Sequence, residues 1–317
     1  MSHIAIVGSG LVGSGWAIVF ARAGKQVALY DARAGAAAHA LSVIQERLQD
    51  LEAAGLVSDP AAIHARIRIA NSMEEAIEGA IYVQESVLED VAIKASVMTE
   101  IDQVIGPRTW VGSSSSGIAA SLYTAHVACR ARCLVAHPVN PPYLAPIVEL
   151  VPAPWTAGET VQGVRALMEE VGQVPVEMKR EAEGFILNRL QGVLLMEAWR
   201  MVEDGLASVE DIDKTVSEGL GLRWSFMGPF ETIDLNAPGG VADYAARLGA
   251  LYQRIAGSTP EHRLWSSDLI AKVEAERRRV LPASDLADRS GWRDRRLMAL
   301  ALHKREMEAD ERNATKA

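Results

Sequence analysis

Short apolar runs alternate with helical patterns along the first half of the chain. The runs have the length of strands, and both of their faces are apolar, as is typical of strands buried in a parallel sheet. The alternation predicts an α/β fold with a doubly wound parallel sheet. Strand-like runs lie at residues 3–7, 26–31, 81–86, 109–114, 133–138 and 174–178, and helical patterns lie at 12–25, 36–55 and 92–105.

The pattern changes near residue 184, and almost only helical periodicity follows. Residues 185–205 are apolar nearly all round, which predicts a buried helix. Ser208, with an acidic residue three positions later, is typical of a helix start. Pro229 suits the first turn of another helix, because its missing N–H would have no partner there. The change predicts two domains, a sheet domain at 1–184 and an all-helical domain at 185–317 that ends in a polar tail.

A glycine-rich turn follows the first strand and opens the first helix. In this position glycines let the backbone approach a pyrophosphate, which lies on the N–H groups at the helix N-terminus. Asp31 ends the second strand, where a carboxylate can accept both ribose hydroxyls and repel a 2′-phosphate, whereas nearby Arg33 could pair with that phosphate. The pattern predicts a Rossmann-type domain that binds NAD rather than NADP. The turn residues predicted to contact the cofactor are Gly8, Gly10, Leu11, Val12 and Gly13.

A single histidine, His137, stands among apolar residues and prolines in the run AHPVNPPYLAPIVEL. It ends a strand-like run, and open α/β sheets bind ligands beyond the carboxyl ends of their strands. Glu149 shares a strand face with Ile147 and Val151, and a carboxylate on an apolar face needs a donor. We therefore expect His137 and Glu149 to pair, so that the imidazole takes the proton of an alcohol while NAD accepts a hydride. On its own, such a histidine is more often a satisfied core residue.

Several stretches of the second half resemble the L-3-hydroxyacyl-CoA dehydrogenase superfamily, most closely its lambda-crystallin branch, the L-gulonate 3-dehydrogenases. The likeness runs from the glycine turn to about Met307. The resemblance implies an N-terminal NAD-binding domain, a helical C-terminal domain for substrate binding and dimerisation, and a homodimer. The stretches that carry it are NPPYLAPIVELVPAPWT, GFILNRLQ, EAWRMVEDG, GLGLRWSFMGPFETIDLN and WRDRR.

The resemblance also implies roles for individual residues. His137 matches the catalytic histidine, and Glu149 matches the glutamate that orients it. Ser116 of the serine-rich turn and Asn188 of GFILNR match the residues that contact the reacting oxygen, although Ser116 could instead cap the next helix and Asn188 could be an ordinary helix-start residue. By looser matching, the residues implied beside the nicotinamide are Glu85, Lys94 and Ser114.

The composition fits a cytoplasmic enzyme and argues against other classes of protein. The formal net charge of -9 disfavours a surface for nucleic acid or anionic membrane, which would be basic. No apolar run reaches the roughly 18 residues of a membrane span, and we expect no targeting segment before the first strand. Cys129 and Cys133 lack the C-x-x-C spacing of zinc and redox sites, so they are interpreted as free thiols and no metal is expected.

Departures from the family bear on the substrate. Acyl-CoA members tend to have basic residues after the second strand that can meet CoA phosphates, whereas the stretch QERLQDLEAAG has one arginine and three acids. This favours a small free 3-hydroxy acid, with L-gulonate as the first choice. Arg223, in a glycine-bounded turn, could clamp a carboxylate or could be a surface arginine. Two alternatives stay open, a 3-hydroxyacyl-CoA dehydrogenase and a non-catalytic, crystallin-like structural protein.

Overall fold

An eight-stranded sheet organises the first part of the chain in a computed structural model, which describes residues 3–257 and 266–314. The strands are β1 (His3–Val7), β2 (Val27–Tyr30), β3 (Ile67–Ile69), β4 (Ala80–Glu85), β5 (Trp110–Ser113), β6 (Cys133–Pro138), β7 (Ile147–Pro152) and β8 (Val174–Glu177). Their order in the sheet is β3-β2-β1-β4-β5-β6-β7-β8, so the direction of strand addition reverses between β1 and β4. This order confirms the doubly wound, Rossmann-type sheet.

One strand pair departs from the predicted parallel arrangement. Strands β6 and β7 run antiparallel, and the other neighbouring pairs are parallel. The loop between them, residues 139–146, is too short for the crossover of about a dozen residues that parallel neighbours need. The antiparallel register sets His137 directly opposite Glu149.

Each face of the sheet packs in its own cluster of buried apolar side chains. Ile4 and Ile6 of β1 belong to one buried cluster, and the alternate residues Ala5 and Val7 belong to another, because successive side chains of a strand point to opposite faces. The first cluster includes Trp16, which is fully buried. The helices of this part are α1 (Leu11–Arg22), α2 (Ala36–Ala53), α3 (Pro60–His64), α4 (Met73–Ile77), α5 (Val91–Val104), α6 (Ser121–Thr124) and α7 (Gly158–Glu170).

The chain divides into two compact units. Unit 1 comprises Met1–Leu190 and Ser290–Ala317, and unit 2 comprises Gln191–Arg289. Unit 1 contains the sheet and most of the last helix, whose Met298 is buried in the same cluster as Ile44 and Leu48. The last residues of the predicted polar tail, 315–317, lie outside the described residues. The predicted domain division at residue 184 marks the change from strand and helix patterns to helical patterns alone. It is not a division by compactness, and it stays a prediction.

Only helices and turns follow β8 among the described residues. Ser208 caps a helix as predicted, since its side chain accepts the backbone N–H of Asp211. The glycine at position 221 favours an end of this helix there. Instead, a π-helical turn at Val216–Leu220 carries the chain on to Trp224. The helices are α8 (Leu187–Glu203), α9 (Val209–Thr215), α10 (Gly221–Trp224), α11 (Pro229–Leu235), α12 (Gly240–Gly257), α13 (Ser267–Val280) and α14 (Leu286–Ala314).

The expectation of a fully buried helix at 185–205 is wrong for the single chain. Helix α8 begins at Leu187, and among its residues only Val202 is buried. Val193 is 71% exposed and Met196 is 48% exposed, so an apolar surface is left open. The apolar residues of 185–205 from which we predicted a buried helix are therefore exposed in the single chain. They form a surface that another molecule can cover. In the described part of the chain, no helix has the length and apolar character needed to cross a bilayer.

Candidate active site

The glycine turn between β1 and α1 is shaped for close approach of a phosphate. Gly8 has a φ of +98°, and a Cβ on it would lie 2.5 Å from the carbonyl oxygen of Ser86. A Cβ on Gly13 would lie 1.9 Å from the carbonyl oxygen of Gly8, whereas a Cβ on Gly10 would meet nothing within 4 Å. Gly10 is the N-cap residue of α1, and no side chain caps its first N–H groups. The turn therefore fits the pyrophosphate of a dinucleotide.

Asp31 connects this turn to the loop after β2. Its Oδ2 accepts the backbone N–H and the hydroxyl of Ser9, both at 2.8 Å, and its Oδ1 accepts the N–H and Nε–H of Arg33 at 2.9 and 3.3 Å. Burial raises the pKa of the Asp31 carboxyl, but the hydrogen bonds from Ser9 and Arg33 prevail and hold it below its ordinary value. The carboxylate is therefore ionised at neutral pH, which disfavours a 2′-phosphate, and Arg33 is bound to it.

A pocket of about 580 Å³ opens beside the glycine turn, between the starts of α1 and α2. Its volume lies within the range of about 300–1,000 Å³ that is usual for small-molecule sites. Arg33, His39 and Arg47 are among the residues that line it, together with Gly10 and Leu11 at the start of α1, and this lining suits an anionic ligand. Its lining residues are Ser9, Gly10, Leu11, Ser14, Arg33, Ala34, Gly35, Ala36, His39, Ala40, Val43 and Arg47.

The antiparallel pair β6–β7 brings the predicted histidine and glutamate together. The His137 Nδ1 and the Glu149 Oε2 lie 2.7 Å apart. Both residues are buried, with 5% and 2% of their surface exposed. A buried imidazole and a buried carboxylate satisfy each other here, as the apolar run around them requires.

The start of α8 holds the other oxygen of Glu149. Its Oε1 accepts the backbone N–H groups of Ile186 and Leu187 at 2.7 and 2.9 Å. Burial raises the pKa of the Glu149 carboxyl, but the hydrogen bonds from the His137 ring and from these two N–H groups outweigh it, and the pKa is lowered. Glu149 is therefore a carboxylate at neutral pH.

The charge of Glu149 decides which ring nitrogen of His137 carries the proton. An ionised carboxylate can only accept hydrogen bonds, so the Nδ1 of His137 must donate. In the neutral ring the Nε2 is then left with a lone pair. Among the described residues, no hydrogen bond involves that Nε2. The pair therefore presents a proton acceptor of fixed orientation.

Phe185 packs against this pair and has an unusual backbone conformation. Its φ is +51°, the one positive value among the described residues other than glycine. The ring is fully buried and lies 5.7 Å from the His137 ring, centroid to centroid. A left-handed non-glycine residue costs about 1 kcal/mol or more and persists where its surroundings require it. Here it turns the chain so that Ile186 and Leu187 can direct their N–H groups at Glu149.

The serine-rich turn after β5 meets the first turn of α8. The Asn188 Nδ2 donates to the backbone carbonyl oxygen of Ser116 at 2.5 Å. Ser116 does not cap the next helix, because α6 begins at Ser121 without a side-chain cap. Glu89 fixes this turn, since its Oε1 accepts the Ser116 N–H at 2.8 Å and the Gly117 N–H at 3.1 Å.

Glu85 and Lys94 form a buried ion pair. The Lys94 Nζ lies 3.0 and 3.1 Å from the two carboxylate oxygens of Glu85, and both residues are fully buried. Ser113 also donates to Glu85, at 2.5 Å. The Lys94 Nζ lies 3.5 Å from Glu89, so this ion pair supports the serine-rich turn. The ammonium group of Lys94 is directed at the carboxylate of Glu85. Direct contact of either residue with the cofactor stays a prediction.

Sequence reasoning missed Glu89 and Phe185. Glu89 looks like one of several acids in a polar loop, and only the folded turn shows three groups of the serine-rich segment bound to its Oε1. The predicted helix at 185–205 includes Phe185, although the glycine before it is a usual sign of a left-handed turn. Ser114 lies at the end of β5 and accepts hydrogen bonds from buried neighbours.

Arg223 lies in unit 2, near the end of α10, and is exposed. Its backbone carbonyl oxygen accepts the N–H groups of Phe226 and Met227, both at 3.2 Å, which closes the turn before α11. Its role toward a substrate stays a prediction. In the described part of the chain, no group of three or more His, Cys, Asp or Glu side chains could hold a metal ion.

Two family profiles match consecutive parts of the chain. The profile of the 3-hydroxyacyl-CoA dehydrogenase NAD binding domain matches residues 3–182, and that of the C-terminal domain matches residues 184–277. Lambda-crystallin of Oryctolagus cuniculus is 39% identical over 313 residues, which is 96% of this chain and 97% of that protein. An L-carnitine dehydrogenase of Pseudomonas aeruginosa is 34% identical over 306 residues, which is 96% of this chain and 94% of that protein.

Solved structures with the same fold include dehydrogenases of different substrates. An NAD+-dependent dismutase, 5-formyl-3-hydroxy-2-methylpyridine 4-carboxylic acid 5-dehydrogenase, superposes with a TM-score of 0.81 at 28% identity, covering 97% of this chain and 99% of that one. The 3-hydroxybutyryl-CoA dehydrogenase of Escherichia coli superposes with a TM-score of 0.66 at 29% identity, covering 80% of this chain and 53% of that one. The likeness therefore extends over dehydrogenases that differ in substrate.

Proposed function

The chain belongs to the 3-hydroxyacyl-CoA dehydrogenase family, and on that premise we propose that it oxidises the 3-hydroxyl group of a small free hydroxy acid with NAD+. The observation that carries the proposal is the His137–Glu149 pair, with its Nδ1–Oε2 distance of 2.7 Å. His137 is the last residue but one of β6, so the pair lies near the carboxyl end of that strand, at the sheet edge where α/β folds bind their ligands. An intact acid–base pair also argues against a purely structural role.

His137 acts as the general base. Because Glu149 fixes the proton on Nδ1, the Nε2 accepts the proton of the substrate hydroxyl, and the imidazolium that forms is stabilised by the carboxylate. When bound, NAD+ supplies the hydride acceptor. General base help of this kind contributes about 10²–10⁴ in rate. In the reverse direction the protonated ring is the acid.

Ser116 and Asn188 hold the reacting oxygen. Among the described residues, no hydrogen bond uses the Ser116 hydroxyl, so it is available to the substrate oxygen. One Asn188 N–H binds the Ser116 carbonyl oxygen, and the other can donate to the same substrate oxygen. Two hydrogen-bond donors directed at one oxygen stabilise the charge that develops on it as its proton leaves.

A free hydroxy acid fits the surface better than a CoA ester. The α2 helix carries few basic residues to meet CoA phosphates. L-Gulonate stays the first choice, and L-carnitine joins it because relatives at 34–36% identity are named L-carnitine dehydrogenases. Arg223 is proposed to bind the substrate carboxylate in two-pronged fashion. A 3-hydroxyacyl-CoA dehydrogenase is the alternative, supported by the family profiles.

The test is a comparison of substrates with purified protein. L-Gulonate, L-carnitine, 3-hydroxybutyrate and 3-hydroxybutyryl-CoA are each incubated with NAD+, and NADH formation is followed at 340 nm. We expect turnover of a free hydroxy acid and loss of about 10²–10⁴ in kcat in His137→Ala. Preference for the CoA ester would favour the alternative. Turnover by His137→Ala equal to that of the wild type would overturn the assignment.

We further propose that a second copy of the chain covers the exposed apolar surface of unit 2. The buried apolar residues described in this unit are only Val202, Ala237 and Leu269, which is too small a core for about 100 residues. Exposed patches of this kind mark interfaces. We expect a dimer by analytical ultracentrifugation, and a monomer in Val193→Glu but not in the exposed control Val174→Glu. A cytoplasmic location and the domain division at residue 184 also stay proposals.

A further inference from the structure

A network of buried polar side chains lies at the carboxyl ends of β4 and β5. Its centre is the Ser114 Oγ, which lies 3.2 Å from the Trp16 Nε1, 2.8 Å from the Gln84 Nε2 and 2.8 Å from the Ser86 Oγ. Trp16 and Gln84 are fully buried, whereas Ser86 and Ser114 are half-buried. The two serines are therefore the part of the network that a ligand can reach.

The orientation of the Gln84 amide follows from its other contacts. The Tyr82 hydroxyl donates to the Gln84 Oε1 at 2.6 Å, and the Gln84 Nε2 lies 3.5 Å from the carbonyl oxygen of Ala136. A reversed amide would set two carbonyl oxygens against each other. Burial raises the pKa of the Tyr82 hydroxyl well above its ordinary value, so it keeps its proton and donates. The Nε2 therefore faces Ser114 as a donor.

Counting lone pairs fixes the direction of the remaining bond. A serine hydroxyl has one proton to donate and two lone pairs to accept with. The indole N–H of Trp16 and the amide N–H of Gln84 occupy both lone pairs of the Ser114 Oγ. The Ser114 proton is therefore donated to the Ser86 Oγ. Among the residues that the structure describes, no acceptor takes up the proton of Ser86, so this hydroxyl is left as an outward donor.

Ser86 lies at the point where the strand order reverses. Its backbone N–H donates to the carbonyl oxygen of Val7 at 2.7 Å, and its own carbonyl oxygen is the atom that a Cβ on Gly8 would strike. A doubly wound sheet binds dinucleotides across this crevice, one half of the cofactor on each side. Asp31 marks the adenosine side, beyond β2. Ser86 and Ser114, beyond β4 and β5, mark the other side.

We propose that Ser86 binds an acceptor oxygen of the nicotinamide nucleoside half of NAD through this outward hydroxyl, and that Trp16, Gln84 and Ser114 hold the hydroxyl in its donor orientation. The inference rests on NAD binding by the family and not on the identity of the substrate. An outward donor in a half-buried site is matched by a ligand that supplies an acceptor there.

The experiment compares NAD+ with ADP by calorimetric titration of the full-length protein. ADP retains the adenosine and pyrophosphate and lacks the nicotinamide nucleoside. In Ser86→Ala we expect NAD+ affinity to fall about tenfold, the value of one hydrogen bond at the upper end of its usual range, while ADP affinity stays unchanged. Ser86→Thr, which keeps a hydroxyl, should bind NAD+ like the wild type.

Two further variants test which half of the cofactor is affected and whether the orientation of the Ser86 hydroxyl matters. Asp31→Asn should weaken NAD+ and ADP together, because it acts on the adenosine side. Trp16→Phe removes the indole N–H while the ring remains, so Ser114 can accept from Ser86, and NAD+ binding should weaken with Ser86 intact. An equal loss of NAD+ and ADP binding in Ser86→Ala, or no loss of either, would overturn the proposal. Loss of turnover in Ser86→Ala with unchanged NAD+ affinity would overturn it as well. Absence of turnover by the wild type with every hydroxy acid, alongside the expected NAD+ and ADP affinities, would concern only the proposed function.

Discussion

Single residues in the site depend on donors that fix their chemical form. Glu149 accepts one hydrogen bond from a ring nitrogen and two from backbone N–H groups. The backbone donors cannot change into acceptors, whereas imidazole can exchange its donor and acceptor nitrogens. Any replacement of Glu149 must therefore satisfy the backbone first, and the His137 ring adapts to what is left.

This hierarchy gives the prediction for Glu149→Gln. The amide oxygen will face the N–H groups of Ile186 and Leu187, and the amide NH₂ will then face the His137 Nδ1. The ring proton must move to Nε2, which can no longer accept the proton of the alcohol. We expect kcat to fall by about 10²–10⁴ with an unchanged Kd for NAD+, measured by steady-state kinetics and titration. The exposed control Glu169→Gln should keep wild-type kcat, and a Glu149→Gln variant with wild-type kcat would contradict the tautomer argument.

The strained backbone of Phe185 makes a second prediction at this scale. Phe185→Ala removes a fully buried ring, and the free energy of unfolding should fall by about 3–5 kcal/mol. Phe185→Gly removes the same ring but adopts a φ of +51° without a Cβ clash, so it should be more stable than the alanine variant by about 1 kcal/mol. Urea unfolding of both variants measures the difference. If Phe185→Ala were as stable as Phe185→Gly or more stable, the backbone at this position would be able to leave the left-handed conformation, and the strain argument would be wrong.

At the scale of elements, the turn between β1 and α1 must be compact enough to fold and open enough to bind. These two requirements fall on different glycines. Gly13 faces the Gly8 carbonyl oxygen, where a Cβ would lie at 1.9 Å, whereas a Cβ on Gly10 has open space within 4 Å. At Gly13 the neighbouring atoms belong to the turn itself. At Gly10 the open space lies where the backbone approaches the pyrophosphate of the dinucleotide.

Two alanine variants separate these requirements. Gly10→Ala should leave the melting temperature of the NAD-free protein close to that of the wild type and weaken NAD+ binding, because its methyl group occupies the approach of the pyrophosphate. Gly13→Ala should lower both, because the turn itself must shift. Differential scanning fluorimetry with and without NAD+ measures both effects. A Gly10→Ala variant that gains as much thermal stabilisation from NAD+ as the wild type would rule out this approach of the phosphate.

Elements were predictable where local patterns were strong. The strand at residues 3–7 was found at its observed limits because its apolar run ends at glycine. Strand β3 (Ile67–Ile69) was missed, since three residues with only one buried give no pattern. Helix α8 begins two residues later than the sequence predicts. The left-handed turn at Gly184 and Phe185 depends on contacts with His137 and Glu149, which are distant in sequence.

The candidate site was predictable where strands bring residues together. His137 and Glu149 lie twelve residues apart, and apolar surroundings indicated that each needed a partner. The sequence does not predict the antiparallel register that joins them. It also does not predict the hydrogen bonds that Glu89 accepts from the serine-rich turn, since nothing in the local sequence distinguishes Glu89 from its acidic neighbours. Burial can be inferred from pattern, whereas hydrogen-bond partners across elements require the fold.

At the scale of the whole molecule, carboxylates that bind backbone N–H groups make stability depend on pH. Glu89 and Asp102 behave like Glu149: burial raises the pKa of each carboxyl, but hydrogen bonds and nearby cations lower it more. A carboxyl whose pKa is lower in the folded than in the unfolded chain contributes stability above the unfolded pKa. That contribution is lost as the pH falls through the folded pKa. The folded chain should therefore lose stability below about pH 5.

Asp102 tests this dependence away from the active site. Its carboxylate accepts the N–H groups of Ala128 and Cys129 at 2.8 and 2.7 Å and so caps the turn before β6. Asp102→Asn cannot ionise, so it should be less stable than the wild type at pH 7, and the difference should shrink as the pH approaches 4, where the wild-type carboxylate begins to lose its advantage. Unfolding free energies at pH 7, 5 and 4 measure the difference, with kcat expected to be unchanged. A difference that stays constant over this range would mean that the carboxylate charge contributes nothing and that the cap acts only through its shape.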